Sequence, residues 1–114
     1  MLFRSEKHFE DPALGRRVEG VVRALGIGGT TLGTVAGITE GARHDFPSAW
    51  APAADLKQLD VVSSYDVAGR SIERHGGAVA RVLYYRMTTD SGMRFLLVYL
   101  TASGLVTDVD LVRE

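Results

Sequence analysis

The apolar residues of the chain follow two different periods, one in each half. In the first half they recur every three or four residues, which is typical of a helix with one buried side. The first such stripe consists of Leu14, Val18, Val21 and Leu25. Asp11 suits the N-cap of this helix and Pro12 its first position, where the missing N–H of proline is not needed. A glycine-rich segment that starts at Gly26 is predicted to end it.

A second helix is predicted from Thr30 or Thr31, either of which can be its N-cap, to Phe46. It ends before Pro47, which cannot continue a helix. Its core-facing stripe is Leu32, Val35, Ala36, Thr39, Arg43 and Phe46. We expect Phe46 and Trp50 to fill the gap between the two helices and the segment that follows.

From Leu59 onward the period changes to two, which is typical of strands with one buried face. In the first strand the inward set is Leu59, Val61, Ser63, Tyr65 and Val67. Turn signals around Gly76, Gly92 and Gly104 divide the remainder into further strands. The sequence therefore predicts one α+β domain: a loose arm over 1–10, two helices over 11–46, and a curved antiparallel β-meander of three to four strands over 59–113.

Two-residue hairpin turns predict which side chains share a face, because directly opposed residues point the same way. The predicted core face comprises Leu83, Tyr85, Met87, Leu96, Val98, Leu100, Val109 and Leu111. A two-residue turn at Gly76 and Gly77 would put Asp66 on the core face. This conflicts with the alternation along the first strand, which puts Tyr65 on that face. A longer turn or a β-bulge near Ala68 and Gly69 is therefore predicted to restore the phase.

The opposite face of the predicted sheet is more apolar than a face in water should be. It carries Val82, Tyr84, Arg86, Phe95, Leu97 and Tyr99, with Asp108 and Asp110 at its edge. An apolar, aromatic centre with a charged rim is typical of an interface. We expect this face to bind a second copy of the chain or a protein partner, with Arg86 and a carboxylate such as Asp110 paired across the sheet or across a dimer.

The composition narrows the classes of partner and of chemistry. The 114 residues carry a net charge of -1 and no clustered basic surface, which disfavours nucleic acid. There is no cysteine, so disulfides and thiolate metal sites are excluded. No stretch reaches the roughly 18–20 apolar residues that span a bilayer, and the charged N-terminus lacks the apolar run of a signal peptide. We therefore expect a soluble, cytoplasmic protein without a membrane partner.

The basic residues are nearly all arginine, since Lys7 and Lys57 are the lysines among 13 basic residues. This bias is typical of a bacterial source with GC-rich DNA.

Three local features suggest chemistry, and each has a simpler structural interpretation. The glycine-rich segment before Thr30 lacks the lysine of a phosphate-binding loop, so a helix end followed by a cap is favoured. His44 beside Asp45 has the residue types of a general base, but a histidine at a helix C-terminus more often complements the helix dipole. His8, His44 and His75 lack metal-ligand spacing, so no metal and no cofactor are predicted.

The predicted order of elements resembles the nuclear-transport-factor-two-like superfamily, also called the cystatin-like α+β roll. The resemblance is carried by 82–92 and 95–106, in which each apolar strand is followed by a turn glycine. The chain is also similar to the small domain attached to some bacterial serine hydrolases of the β-lactamase-like class. The resemblance implies a cone between helices and sheet that can hold a small hydrophobic ligand. It also implies dimerisation through the outer sheet face, in a superfamily that includes isomerases, dehydratases and many non-catalytic members.

Under this resemblance Trp50, Tyr65 and Tyr85 are candidate ligand-binding residues at the cone. The alternative is that the rings of the two tyrosines fill the core and their hydroxyls reach its rim. Apart from Asp66, no inward carboxylate accompanies them, although an isomerase-like site needs one as a base. A non-catalytic association domain is therefore favoured over an enzyme, and a roll that binds a small apolar ligand or acts as an isomerase is the alternative.

Overall fold

The computed structural model describes residues 12–46, 49–67 and 72–112, which form an α+β fold of helices followed by a four-stranded antiparallel sheet. The helices are α1 (Pro12–Ile27), α2 (Gly29–Thr34) and α3 (Glu40–Asp45), followed by a 3-10 turn (Ala51–Ala53). The strands are β1 (Leu56–Asp66), β2 (Glu73–Arg74), β3 (Gly77–Ala78), β4 (Arg81–Thr89), β5 (Gly92–Leu100) and β6 (Val106–Leu111). The large sheet has the order β1-β4-β5-β6. Strands β2 and β3 form a separate hairpin in the chain segment that connects β1 to β4.

Several predictions concern parts of the chain outside these ranges. The predicted arm over 1–10, the N-cap Asp11 and the irregularity near Ala68 and Gly69 lie outside the described residues. Within the described part, no helix is both long and apolar enough to cross a membrane.

Helix α1 confirms the first helical stripe, because its apolar side is fully buried against the sheet. The buried residues of this side are Leu14, Val18, Val21, Val22 and Leu25. Gly26 is buried near the C-terminus, where a Cβ atom would overlap the carbonyl oxygen of Ala53. Trp50 donates its backbone N–H to the carbonyl of Leu25 at 2.7 Å, and its ring packs against the core together with Phe46, as predicted. The 3-10 turn thus lies directly on the end of α1.

The single second helix predicted up to Phe46 is wrong, since the chain forms α2 and α3 and so has three helices in its described part. Helix α2 has Gly28 rather than a threonine as its N-cap. Gly37, which follows the end of α2, has a φ of 94°, a left-handed conformation that a right-handed helix cannot contain. The carbonyl of Gly37 accepts the N–H of Val106 at 2.7 Å, and Ile38 forms a parallel bridge with Val106. Pairing with β6 therefore replaces helix over 35–39.

Thr39 and Arg43 then fix α3 against α2. The Thr39 hydroxyl accepts the N–H of Ala42 and caps α3, as its residue type favours. The Arg43 Nη1 atom donates to three carbonyls at the end of α2, at 2.9, 3.0 and 3.0 Å. These belong to Leu32, Gly33 and Val35. Arg43, which belongs to the predicted apolar stripe, thus donates to carbonyls at the end of a helix that have no partner within the helix.

The core face predicted for β4, β5 and β6 is confirmed. Val98 lies opposite Val109 and Leu96 opposite Leu111, and a two-residue turn joins β4 to β5. The inward residues are buried or, in the case of Leu111, packed against the core. The turn after β5 spans 101–105 instead of two residues, and a register shift after Tyr99 compensates for the added length.

Strand β1 contains an irregularity in its middle. Val61 is paired with Tyr85 and Ser63 with Tyr84, the next residue of β4, so Val62 is an extra residue of a β-bulge. An extra residue reverses the alternation, and side chains after the bulge point to the opposite side from those predicted.

Leu59 and Val61, before the bulge, lie on the core side, as predicted. Tyr65, after it, lies opposite the outward residue Val82 and is 55% exposed. The inward orientation predicted for Tyr65 is therefore wrong, because the strict alternation was continued through the bulge.

Substitution of Gly26 tests the contact between α1 and the 3-10 turn. We expect Gly26→Ala to lower the free energy of unfolding by about 1–3 kcal/mol, because the new methyl group overlaps the Ala53 carbonyl. Gly20→Ala is the matched control: a Cβ there meets nothing within 4 Å, so a gain of about 0.5–1 kcal/mol is expected. Urea denaturation measures both, and equal effects at the two positions would contradict the close contact.

Candidate functional site

The outer face of the sheet, defined as the side chains that point away from the helices, is ordered in rows across the strands. The first row is Tyr65, Val82, Tyr99 and Asp108. The second is Ser63, Tyr84, Leu97 and Asp110. The third is Asp60, Arg86 and Phe95. The structure thus brings the seven predicted interface residues together on one surface.

The centre of the outer face is aromatic and apolar. The rings of Tyr84 and Phe95 stack with 5.4 Å between their centroids and an interplanar angle of 20°. Val82, Leu97 and Tyr99 surround them, and all five side chains are only partly covered. Aromatic pairs of this kind are enriched in the central parts of protein interfaces.

The charged groups of the outer face lie on both sides of this centre. The Arg86 Nη2 atom is 3.4 Å from the Asp60 carboxylate on the neighbouring strand, so Arg86 pairs with Asp60 rather than with Asp110 within the chain. Asp110 lies 3.8 Å from the Arg74 guanidinium on the other side. The side chains of Arg86 and Asp110 are 49% and 56% exposed, so both are available to a partner.

The β2–β3 hairpin adds a cluster of charges at the Asp108 end of the outer face. The Arg74 guanidinium lies over the Tyr99 ring, 4.4 Å from its centroid, and donates to Asp108 at 2.7 Å. The His75 ring contacts two carboxylates, Asp45 through Nδ1 at 3.0 Å and Asp108 through Nε2 at 3.2 Å. The hairpin is thereby bonded to both α3 and β6.

Two glycines bring the hairpin close to its neighbours. A Cβ on Gly41 of α3 would overlap the His75 carbonyl, and one on Gly77 of β3 would overlap the Thr107 hydroxyl. That hydroxyl donates to the Arg74 carbonyl at 2.6 Å. The His75 φ is 50° and the Gly76 φ is 80°, which is the geometry of a tight type I′ hairpin turn.

The proximity of opposite charges changes the titration of this cluster. The hydrogen bond to Asp45, supported by the nearby charge of Asp108, raises the pKa of His75 above its ordinary value. The hydrogen bond from His75, together with one from His44, lowers the pKa of Asp45. The His75 ring can donate to Asp45 and to Asp108 at the same time only when it carries both protons, so the arrangement favours the imidazolium.

Sequence reasoning missed His75 as a member of this cluster and considered His44 instead. His44 bonds Asp45 at 3.1 Å, but its side chain is 89% exposed. Asp45 and Asp108 are 30 and 33 residues from His75 in the sequence, so no local pattern indicates the contact. The described residues contain no group of three or more His, Asp and Glu that could hold a metal.

A pocket of about 280 Å³ lies between α1 and the core side of β1 and β4. Its lining residues are Pro12, Gly15, Arg16, Glu19, Leu59, Val61 and Tyr85. Burial, with a smaller effect of the Glu19 charge, raises the pKa of Tyr85, so its phenol stays neutral. Of the three predicted ligand-binding residues, Tyr85 alone lines this pocket, because Trp50 packs at the other end of α1 and Tyr65 lies on the outer face.

No family model, no curated protein and no solved structure matches this chain. Its geometry is therefore the basis for the function proposed below.

Replacing His75 tests the imidazolium in the cluster. Because its pKa is raised on folding, His75 contributes stability that is complete below pH about 6.5 and lost as the pH rises through the folded-state pKa. His75→Asn keeps a residue that tolerates the left-handed turn but removes the charge. We expect its Tm to lie about 2–6 °C below that of the wild type at pH 6, which corresponds to about 0.5–1 kcal/mol.

At pH 9 the Tm difference between the two proteins should nearly vanish. Calorimetry across this pH range measures it. A Tm difference that is the same at pH 6 and pH 9 would mean that His75 is not held as the imidazolium.

Proposed function

We propose that this protein is a non-catalytic association domain that forms a homodimer through the outer face of its sheet. The observation that carries the proposal is the stacked Tyr84–Phe95 pair, surrounded by further apolar side chains on a surface that the described residues leave partly exposed. An apolar centre of this kind with a charged rim has the composition of an interface core.

The edges of the sheet are poor alternatives to its face. At β1, Arg23 donates to the carbonyls of Leu56 and Lys57 at 3.0 and 3.2 Å, and the Val62 bulge disturbs the remaining edge. At β6, the bridge between Ile38 and Val106 occupies the start of the edge. Bulges, edge lysines and covering segments are devices that prevent strand-to-strand association. Their presence at both edges favours association through the face.

The charges of the outer face favour a second copy as the partner. Arg86 lies opposite Phe95 from β4, and Asp110 lies opposite Leu97 from β6, so the midpoint between the two charges falls on β5. A two-fold axis that runs close to β5, past Phe95 and Leu97, would bring each Arg86 near Asp110 of the second copy. In such a dimer, the apolar centres of the two faces meet, and the positive group of each face lies near the negative group of the other.

We also infer that the fold is of the cystatin-like roll type and that the likeness to the nuclear-transport-factor-two-like superfamily reflects kinship. The supporting observations are a sheet covered by helices on one face and the bulges in β1 and between β5 and β6, since bulges bend strands.

A charge placed at the centre of the outer face tests the dimer. We expect Leu97→Arg to raise the dissociation constant at least about thirtyfold, because an unpaired guanidinium would be buried against the second copy. The matched control is Ile27→Arg, an equal change at a position that is 65% exposed on the helical side.

Sedimentation velocity at several concentrations measures both variants, with circular dichroism to verify the fold. A wild-type protein that stays monomeric at high concentration would refute the proposal, as would equal effects of the two substitutions.

A second candidate function is the binding of a small molecule in the pocket beside Tyr85. The observation that favours it is the combination of the apolar side chains of Leu59 and Val61 with the neutral Tyr85 phenol and the Arg16 cation in the pocket lining. Glu19 is bonded to Arg23 at 2.9 and 3.1 Å, so it is held in an ion pair rather than placed as a base. The pocket therefore suits binding of an apolar anion more than catalysis.

Filling the pocket tests this second candidate. We expect Val61→Phe to weaken binding of the apolar anion 1-anilinonaphthalene-8-sulfonate at least about fivefold, because the added ring occupies the space beside Tyr85. Val62→Phe is the matched control, since Val62 has similar exposure but does not line the pocket. Isothermal titration calorimetry measures both. Equal affinities of the two variants, or no binding to the wild type, would reject the pocket as the site.

A further inference from the structure

The β2–β3 hairpin joins the outer face to the rest of the molecule through two residues. Arg74 extends onto the outer face, where it covers the Tyr99 ring and bonds Asp108. The next residue, His75, bonds Asp45 of α3 as well as Asp108 of β6. The bonds of His75 therefore help to hold the hairpin from which Arg74 reaches Tyr99.

We infer that protonated His75 is a latch for the β2–β3 hairpin, and that release of this latch weakens dimerisation through the outer face. The inference rests on the proposed function: if the outer face forms a dimer, the strength of that dimer depends on pH.

The latch depends on the number of N–H groups in the imidazole ring. The imidazolium has two and donates to Asp45 and to Asp108 at the same time, whereas the neutral ring has one. Loss of the proton therefore breaks the hydrogen bond from His75 to one of the two carboxylates and removes a positive charge from between them. The hairpin then loses a link to α3 or to β6.

The charge balance at the edge of the outer face also changes when His75 loses its proton. In the latched state, the cations Arg74 and His75 face three carboxylates, those of Asp45, Asp108 and Asp110. Deprotonation leaves Arg74 as the remaining cation of this group. With one link fewer, the hairpin fixes Arg74 on the Tyr99 ring less firmly. A second copy must then order this edge of the outer face when it binds, and that cost weakens the dimer.

Other titratable groups around His75 do not provide the same link. On α3, His44 shares Asp45 but is 89% exposed and bonds no second element. Glu40, also on α3, is paired with Arg43 at 3.8 Å and its side chain is 93% exposed. Phe46 packs its ring 5.2 Å from that of His75 and carries no charge. His75 is thus the titratable group that bonds both α3 and β6.

Sedimentation equilibrium of the full chain between pH 5.5 and 9, at constant ionic strength, tests the inference. For the wild type we expect the dissociation constant to rise about tenfold from pH 6 to pH 9, with a factor of about three from each of the two His75 residues of the dimer. His75→Asn, which keeps the turn, should dissociate at pH 6 as the wild type does at pH 9 and show little change with pH. His44→Asn is the matched control and should keep the wild-type pH dependence.

The possible results separate the latch from the dimer itself. A dimer whose dissociation constant is constant across this range overturns the latch and leaves the proposed function intact. The same holds if His75→Asn titrates like the wild type or if His44→Asn abolishes the dependence. A chain that is monomeric at every pH overturns the proposed function, and the pH-controlled interface with it.

Discussion

The β-bulge at Val62 is the constraint on which both candidate sites depend. One extra residue in β1 lets Leu59 and Val61 face α1, while Tyr65, four residues further on, joins the outer face. Without the bulge, the second half of β1 would present Ser63 and Tyr65 to the core and Ser64 to the outer face. The wall of the pocket and the Tyr65 row of the outer face thus come from one strand whose alternation reverses in the middle.

Much of the sheet and the first helix follows from the sequence, because both are encoded by short-range patterns. The period of α1 and the two-residue turn between β4 and β5 place their side chains correctly. The five-residue turn after β5 does not change this result, since a bulge at Thr107 compensates for its length and keeps Val98 opposite Val109.

The errors arise where a distant contact overrides the local pattern. The stripe from Leu32 to Phe46 has a helical period, yet the strand-like pairing of Ile38 with Val106 interrupts it. Gly37 and Thr39 are the local signs of this break, a glycine that accepts positive φ and a threonine suited to an N-cap. The bulge at Val62 has no such sign, because valine is an ordinary strand residue.

The same distinction separates the outer face from the cluster around His75. The outer face is predictable because its members alternate along neighbouring strands, and its composition is visible in the sequence. The cluster around His75 is not, since its partners come from α3 and β6 and meet only in the folded chain. The alternation along β4 also separates two adjacent tyrosines: Tyr85 lines the pocket, and Tyr84 stacks on Phe95 of the outer face.

The two close approaches of the hairpin have an evolutionary consequence. Gly41 and Gly77 lie where any larger residue would collide with the backbone of His75 or with the hydroxyl of Thr107. A descendant of this chain could therefore keep every charged residue of the cluster, and one glycine substitution would still prevent the hairpin from packing against α3 and β6. Among diverging relatives, glycine at these two positions should therefore indicate a packed hairpin better than the charged residues of the cluster do.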